Sequence, residues 1–370
     1  MRDKSQDHNH AHVTGSLAVP PFLADARRAL VAGQLAPADY KRIEDRVVDE
    51  AIALQEALGL GLINDGELRR VQRFEALTSS IEGVGPAEGH TVKWNGIDGS
   101  IVEYPMPYAV VDKIRRVRSK TVEEFTYMRS RARADIKVTI PSPTIVTALW
   151  SPRHSSSAYP DFFDLVLDMA TVIRADIEEL VGLGCRHIQL DAPDLSFLAD
   201  PARRDTFAQD RIPLQRLAAE GIELINELAN VPGVEFSIHI CRGNMADAWM
   251  ANGGYEQIAE QVFGHARNID SFLLEYTSPG VGSFEPLAKV PDDKRIVLGL
   301  VASKSRELEP PELLERRIKE AAHYFPLEQL ALSSSCGFAN GVCTTADQQA
   351  KLLWWPAWQT PCGANPRRRT

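Results

Sequence analysis

One imidazole, two thiols and one carboxylate stand at the ends of three apolar runs. His239-Ile-Cys241 closes the run Val-Glu-Phe-Ser-Ile-His-Ile-Cys, Glu275 closes Phe272-Leu-Leu-Glu, and Cys336 follows Leu330-Ala-Leu-Ser-Ser-Ser. On a strand, residues i and i+2 point to one side, so the imidazole and thiol of His-x-Cys reach a common point. Together the four groups make the donor set of a tetrahedral zinc shell. An isolated His-x-Cys has a second reading, a hydrogen-bonded core histidine beside an inert buried cysteine. Cys336 and Glu275 favour the metal, provided that the three runs are strands standing side by side.

The rest of the chain supplies elements that meet this condition. Short apolar runs ending in a polar residue alternate with segments of helical spacing. Strands are expected at His12–Leu17, Gly61–Glu67, Ile136–Pro141, His187–Asp191, Glu235–Cys241, Ser271–Glu275, Arg295–Val301 and Gln329–Ser333. Helices are expected over 38–58, 161–182, 214–229, 255–265, 311–324 and 345–355. About eight βα units in one chain predict a (β/α)8 TIM barrel, with an open doubly wound sheet as the alternative. No G-x-G-x-x-G opens a helix, which weakens the dinucleotide-binding version. Active residues of a barrel collect where strands end, and the four donors lie at such ends. Residues 82–110, rich in glycine and alternating residues, read as a β-hairpin insertion that serves as a lid or a dimer contact. The expected organisation is a polar tail over 1–11, one barrel over 12–358 and a C-terminal tail over 359–370.

These residues resemble the catalytic half of cobalamin-independent methionine synthase. The resemblance rests on His239-Ile-Cys241-Arg-Gly-Asn, Leu274-Glu275-Tyr and Leu330-Ala-Leu-Ser-Ser-Ser-Cys336-Gly-Phe. It extends to Thr14-Gly15-Ser16, Asp65-Gly-Glu67 with Arg69-Arg70, and Ile188-Gln-Leu-Asp191, and runs from about His12 to Trp358. It implies a barrel with Zn2+ at its top, held by His239, Cys241, Glu275 and Cys336. Gly15, Ser16 and Glu67 would hold the amino-acid part of a thiol such as homocysteine, and Asp191 would lie near its amino group. The chemical reason for zinc is that the thiolate is the nucleophile, and a coordinated thiol deprotonates near neutrality. Trp150, after the strand-like stretch Thr144–Leu149, could stack on a flat or cationic donor or simply pack at the rim.

The chain also departs from that family. It has room for one barrel where the full-length synthase has two. It therefore resembles short members that take a methyl group from a methylated corrinoid carrier, and zinc transferases that open epoxides with coenzyme M. Ala192 follows Asp191 where the synthase has glutamate, and Gly299-Leu-Val-Ala-Ser303-Lys304-Ser replaces a segment bearing a catalytic histidine. Ser303 or Lys304 could supply a proton or bind an anion there; a solvated loop lysine is the other reading of Lys304. Arg69, Arg70 and Arg73 could bind a carboxylate, sulfonate or phosphate, or be surface charges. Cys185, Cys343 and Cys362 read as structural or exposed, with Cys343 a minor competitor for the metal. His8, His10 and His12 alternate in the polar tail, and His12 could face the site; His154 could contact substrate from its loop.

Composition bounds the rest. The chain has 370 residues, 44% hydrophobic and 25% charged, with 41 Lys+Arg against 50 Asp+Glu and a net charge of −9. No nucleic-acid partner is expected from that balance. No run approaches the roughly 20 apolar residues that span a bilayer, and no secretory signal is visible, so no membrane partner is expected. Five cysteines fit a reducing cytoplasm better than a disulfide framework. The expected activity is thiol alkylation, with a small thiol and an alkyl donor as partners; a homo-oligomer is one option for the assembly, which the sequence does not decide. The rivals are epoxide:coenzyme M transfer, a metal-free lyase like uroporphyrinogen decarboxylase, and a non-catalytic binding barrel.

Overall fold

A computed structural model describes residues 11–71, 75–96, 99–245, 248–278, 280–339 and 341–353. In chain order the strands are β1 (Leu62–Ile63), β2 (Ile81–Pro86), β3 (Thr91–Asn95), β4 (Ile101–Pro105), β5 (Tyr108–Arg116), β6 (Asp135–Pro141), β7 (His187–Asp191), β8 (Glu235–Ile240), β9 (Ser271–Glu275), β10 (Arg295–Val301) and β11 (Leu330–Ser334). Seven of them form one curled parallel sheet in the order β1-β6-β7-β8-β9-β10-β11. Neighbours in this sheet are consecutive in the chain except across 81–116, so each crossover runs outside the sheet to the adjacent strand.

Side chains alternate across these strands for a visible reason. Ile188, Leu190, Phe236, Ile238, Phe272, Leu274, Ile296 and Leu298 are all buried beneath the outer helices. The opposite faces carry Leu273, Val297 and Ala331, a small separate apolar cluster inside the curl, and beyond it the polar ends His239 and Glu275. Helix Phe162–Gly182 buries Leu165, Val166, Met169, Ile173, Ile177 and Leu180 along one stripe. Its N-terminus is capped by Asp161, which accepts from the Phe163 amide at 2.9 Å.

Three expected elements take another form. The stretch expected as a first strand, His12–Leu17, is not a strand, and the residue before it, Ala11, makes one isolated parallel bridge to Leu332. Gly15 adopts φ 72°, which turns the backbone out of extended geometry before a ladder can form. The stretch Gly61–Glu67 is a strand only at Leu62–Ile63, because Asp65-Gly-Glu67 turns away with φ 71° at Gly66 and 52° at Glu67. Thr144–Leu149 belongs to a 3-10 turn, Pro143–Leu149, started by a proline at its first position.

Residues 81–116 hold two antiparallel pairs, β2 with β5 and β3 with β4. Asn95 at the end of β3 exchanges backbone hydrogen bonds with Trp249, at 2.7 and 3.0 Å. This ties the β3–β4 pair to the loop that follows β8. Among the described residues no helix is long and apolar enough to cross a membrane.

Candidate metal centre

The register of the sheet assembles the donors. His239 lies opposite Asp191 on β7 and Leu273 on β9, at the C-terminal end of β8. Cys241 follows two residues later on the same side. Cys336 follows β11 and is brought back by the close approach of Gly337 to the Gly15-Ser16 turn. A Cβ at Gly337 would lie 2.6 Å from the Ser16 amide nitrogen, so only glycine fits. The Phe338 amide donates to Ser16 O at 2.7 Å and the Ala339 amide to Ser16 Oγ at 3.2 Å. His239, Cys241 and Cys336 then present ligand atoms within 4.8 Å of one another, all buried.

Their chemistry fits a metal such as zinc. His239 Nδ1 lies 3.1 Å from the Leu273 carbonyl, which can only accept, so Nδ1 carries the proton. That leaves the Nε2 lone pair facing the thiols, and Nε2 is buried without a hydrogen-bond partner. A carbonyl that fixes the tautomer is the usual outer partner of a metal-bound histidine. Cys241 beside it, together with burial, pushes the Cys336 thiol up, so Cys336 stays protonated unless a cation is present. Two soft thiol donors and one imidazole select zinc over hard cations.

The three donors open on a cleft lined by Gly15, Ser16, Glu67, Arg70, Asp191 and Gly337. Its charged wall is acidic. Arg70 is fully engaged: it donates to Glu124 at 3.0 and 2.7 Å and to Thr139 O at 2.8 Å, and lies 3.2 Å from Glu67. Arg69 is likewise buried against Glu44 and Asp45, at 2.7 and 2.6 Å. Neither arginine is left to bind an anion. Arg73 lies outside the described residues, as do His8, His10 and Cys362.

Several expected site residues stand elsewhere. Glu275 is buried but falls outside the His-Cys-Cys group. Its carboxylate accepts from Lys304 Nζ at 2.7 Å, from the Arg242 amide at 2.8 Å and from Ser278 Oγ. An ammonium ion offers only donors, so the pair forms wherever the two ends meet, and here it engages the Glu275 carboxylate outside the His-Cys-Cys group. Lys304 is therefore neither a solvated lysine nor a free acid in the cleft. Ser303 is buried 3.3 Å from Ser335 Oγ and accepts from Asn244 Nδ2, and it does not line the cleft. Trp150 does not line it either: its ring packs edge-on against Phe162 and its Nε1 donates to Asp210 O at 2.9 Å. The 3-10 turn before it, in place of a strand, re-aims the ring.

The minor candidates also resolve. His12 lies 3.4 Å from Lys137, near the N-terminal ends of the strands and far from the donors along β7. His154 contacts Glu88 O, Cys343 donates to Ser305 O at 3.1 Å, and Cys185 contacts His187 O. Two buried residues beneath the cleft carried no role in the sequence reading, Lys137 and Gln189. The only available signal was the inward spacing of Lys137 and Thr139 on a strand, which reads equally well as a solvated face.

Asp65 shows what the acidic wall costs. It is buried, its Oδ1 accepts from the Glu67 amide at 2.9 Å, and its Oδ2 has no partner. Burial and then Glu124 push its carboxyl up to about 7, against the pull of Arg70. A raised folded-state value means the native state binds the extra proton between 3.8 and about 7. Stability from this group is therefore full below pH 3.8 and lost as pH rises through about 7. Asp65→Asn should lack that slope, so its stability relative to wild type should rise by up to about 4 kcal/mol between pH 4 and 8. Urea unfolding across that range reads the difference, and a pH-independent difference would contradict the burial argument.

Comparison with known proteins agrees with this geometry. Residues 13–353 match the family model described as the catalytic domain of cobalamin-independent synthase. The chain is 33% identical over 353 residues to the uncharacterized Bacillus subtilis protein YxjH, covering 91% of this chain and 90% of that one. It is 27% identical to a methionine synthase of Saccharolobus solfataricus, covering 88% and 86%. Among solved structures, a Listeria monocytogenes chain described as a candidate vitamin-B12-independent methionine synthase superposes with a TM-score of 0.70 at 27% identity, covering 95% and 96%. A Shewanella B12-independent methionine synthase shares the fold at a TM-score of 0.73 and 18% identity. The chain thus belongs to the catalytic-domain family of cobalamin-independent methionine synthase, a family of methyltransferase enzymes.

Proposed function

We propose that this chain binds Zn2+ through His239, Cys241 and Cys336 and transfers a methyl or alkyl group to a small amino-acid thiol, homocysteine in the first instance. The observation that carries the reading is the gathering of those three buried donors at a cleft walled by Glu67 and Asp191. Zinc bound there would supply the acidity that holds a coordinated substrate thiol as its nucleophilic thiolate. The chain's own residues do the rest. Gly15 and Ser16 form the floor against Gly337, Glu67 and Asp191 receive the substrate ammonium, and the Leu273 carbonyl keeps the His239 tautomer ready. Glu275 is the fourth donor in this reading, reached by leaving Lys304.

The coenzyme M alternative needs a cation for the sulfonate. Arg69 and Arg70 are both committed to carboxylates, which favours an ammonium-bearing thiol instead. A metal-free lyase leaves the His-Cys-Cys gathering without a purpose. We further read segment 11–17 as the eighth stave of a single (β/α)8 barrel. It bonds to Leu332 on one side (His12 N to O, 3.3 Å) and to Asn64 and Gly66 on the other (2.8 and 2.9 Å). In this reading the β3–β4 pair is a hairpin lid, the compartment is the cytoplasm, and a methylated corrinoid carrier is one candidate among alkyl donors.

The test is proton release on thiol binding. Calorimetry of the zinc-loaded chain in buffers of different ionisation heat should register about one proton set free per homocysteine bound. Coenzyme M should bind more weakly. Zinc-loaded protein that binds no thiol, or binds one without releasing a proton, would defeat the reading.

A further inference from the structure

Beneath the cleft, a buried hydrogen-bond chain runs inside the curl of the sheet. Lys137, in the middle of β6, is 3% exposed. Its Nζ donates to Val13 O and to Gln189 Oε1, each at 2.7 Å, with His12 Nδ1 at 3.4 Å. Gln189 on β7 is wholly buried, and its Nε2 donates to Asp191 Oδ1 at 2.7 Å. Asp191 in turn lines the cleft.

The order of these bonds is dictated by their chemistry. An ammonium can only donate, so it demands the carbonyl end of the Gln189 amide. The amide's donor end must then face Asp191, whose ionised carboxylate can only accept. Reversing the amide would set two donors against each other at one end and two acceptors at the other. The buried ammonium is also charge-matched to the cleft, because Asp191 and Glu67 are the carboxylates that favour its charged form. Burial draws Lys137 down to about 8, still above neutrality, so the donor remains an ammonium.

We propose that Lys137 is a positioning residue that acts through Gln189 to aim the Asp191 carboxylate at the ammonium of the thiol substrate. The proposal rests on the function proposed above and deepens it: the cleft selects α-amino thiols over thiols without an amine. Lys137 never touches the substrate. Its effect is carried by one amide whose orientation it fixes.

The test uses the full zinc-loaded chain with two thiols, homocysteine and 4-mercaptobutyrate, which is homocysteine without its amino group. Gln189→Glu keeps the side chain's shape but sets an acceptor against Asp191. Lys137→Met keeps most of the volume and removes the charge that orients the amide. Each variant should weaken homocysteine binding about 10- to 100-fold, the range of a lost charge-assisted hydrogen bond, with 4-mercaptobutyrate binding unchanged. A merely structural role would weaken both thiols together. That result overturns the proposal, as does a wild type that binds the two thiols equally or variants that keep the full preference. A wild type that holds zinc but binds neither thiol instead removes the functional reading, and the proposal with it.

Discussion

Cys241→Ser and Cys336→Ser protein should each purify with almost no zinc, against about one zinc per chain in the wild type. The expectation follows from how few donors hold the ion. Only His239, Cys241 and Cys336 present ligand atoms to one point among the described residues, while Glu275 is held by Lys304. Removing one thiol from this gathering leaves a site that a hydroxyl cannot repair, because a serine alcohol does not ionise near neutrality as a metal-bound thiol does. Losing an outer partner of a zinc ligand already costs roughly 10–100-fold in affinity, and losing the ligand itself should cost more. Elemental analysis after dialysis against a weak chelator reads the result. Ordinary zinc retention in either variant would show that the cluster is a pair of inert core thiols. The variants should stay folded, since both thiols sit at strand ends beyond the apolar cluster of Leu273, Val297 and Ala331.

The donors were legible because strand ends are legible. His239-Ile-Cys241, Glu275 and Cys336 each follow an apolar run, and the alternation of runs with helical spacing placed those ends on one rim. Side-chain direction across strands was not legible. Nothing local to Glu275 says that Lys304, 29 residues on, reaches it first. Trp150 follows the same logic: a proline-started 3-10 turn replaces the strand that would have aimed its ring at the cleft. A regular strand was expected over 12–17 because Val13 and Leu17 have strand-like apolarity, whereas Gly15 takes φ 72° to bring Ser16 against Gly337. Lys137 went unnoticed for a related reason. A lysine on a strand normally marks the solvated face, and only the curl of the sheet turns that position inward.

Lys304→Met should be the most destabilising single change near the centre, lowering the unfolding free energy of the metal-free chain by about 3–5 kcal/mol at neutral pH. The reason is the asymmetry of the pair. Glu275 is completely buried, while the Lys304 side chain keeps 10% of its surface exposed. Taking away the lysine strands a carboxylate with only Ser278 and the Arg242 amide, whereas taking away the glutamate leaves an ammonium within reach of water. Glu275→Gln should therefore cost less, and Glu275→Gln with Lys304→Met should recover most of the loss, because no charge is then left unpaired. The pH dependence has a definite sign. Burial pushes Glu275 up, but Lys304, Ser278 and the Arg242 amide more than offset it and hold the carboxyl below 4.5. In the wild type this group's contribution persists at neutral pH and is lost only as acid protonates the carboxylate. Without Lys304 burial dominates, so the carboxylate accepts a proton at a higher pH and escapes the penalty. The gap between Lys304→Met and wild type should accordingly narrow as pH falls. Urea unfolding of the two single variants and the double at neutral and acid pH measures all of this. A double variant no more stable than Lys304→Met alone would mean that the lysine acts by packing, and that Glu275 is not held back from the thiols by charge.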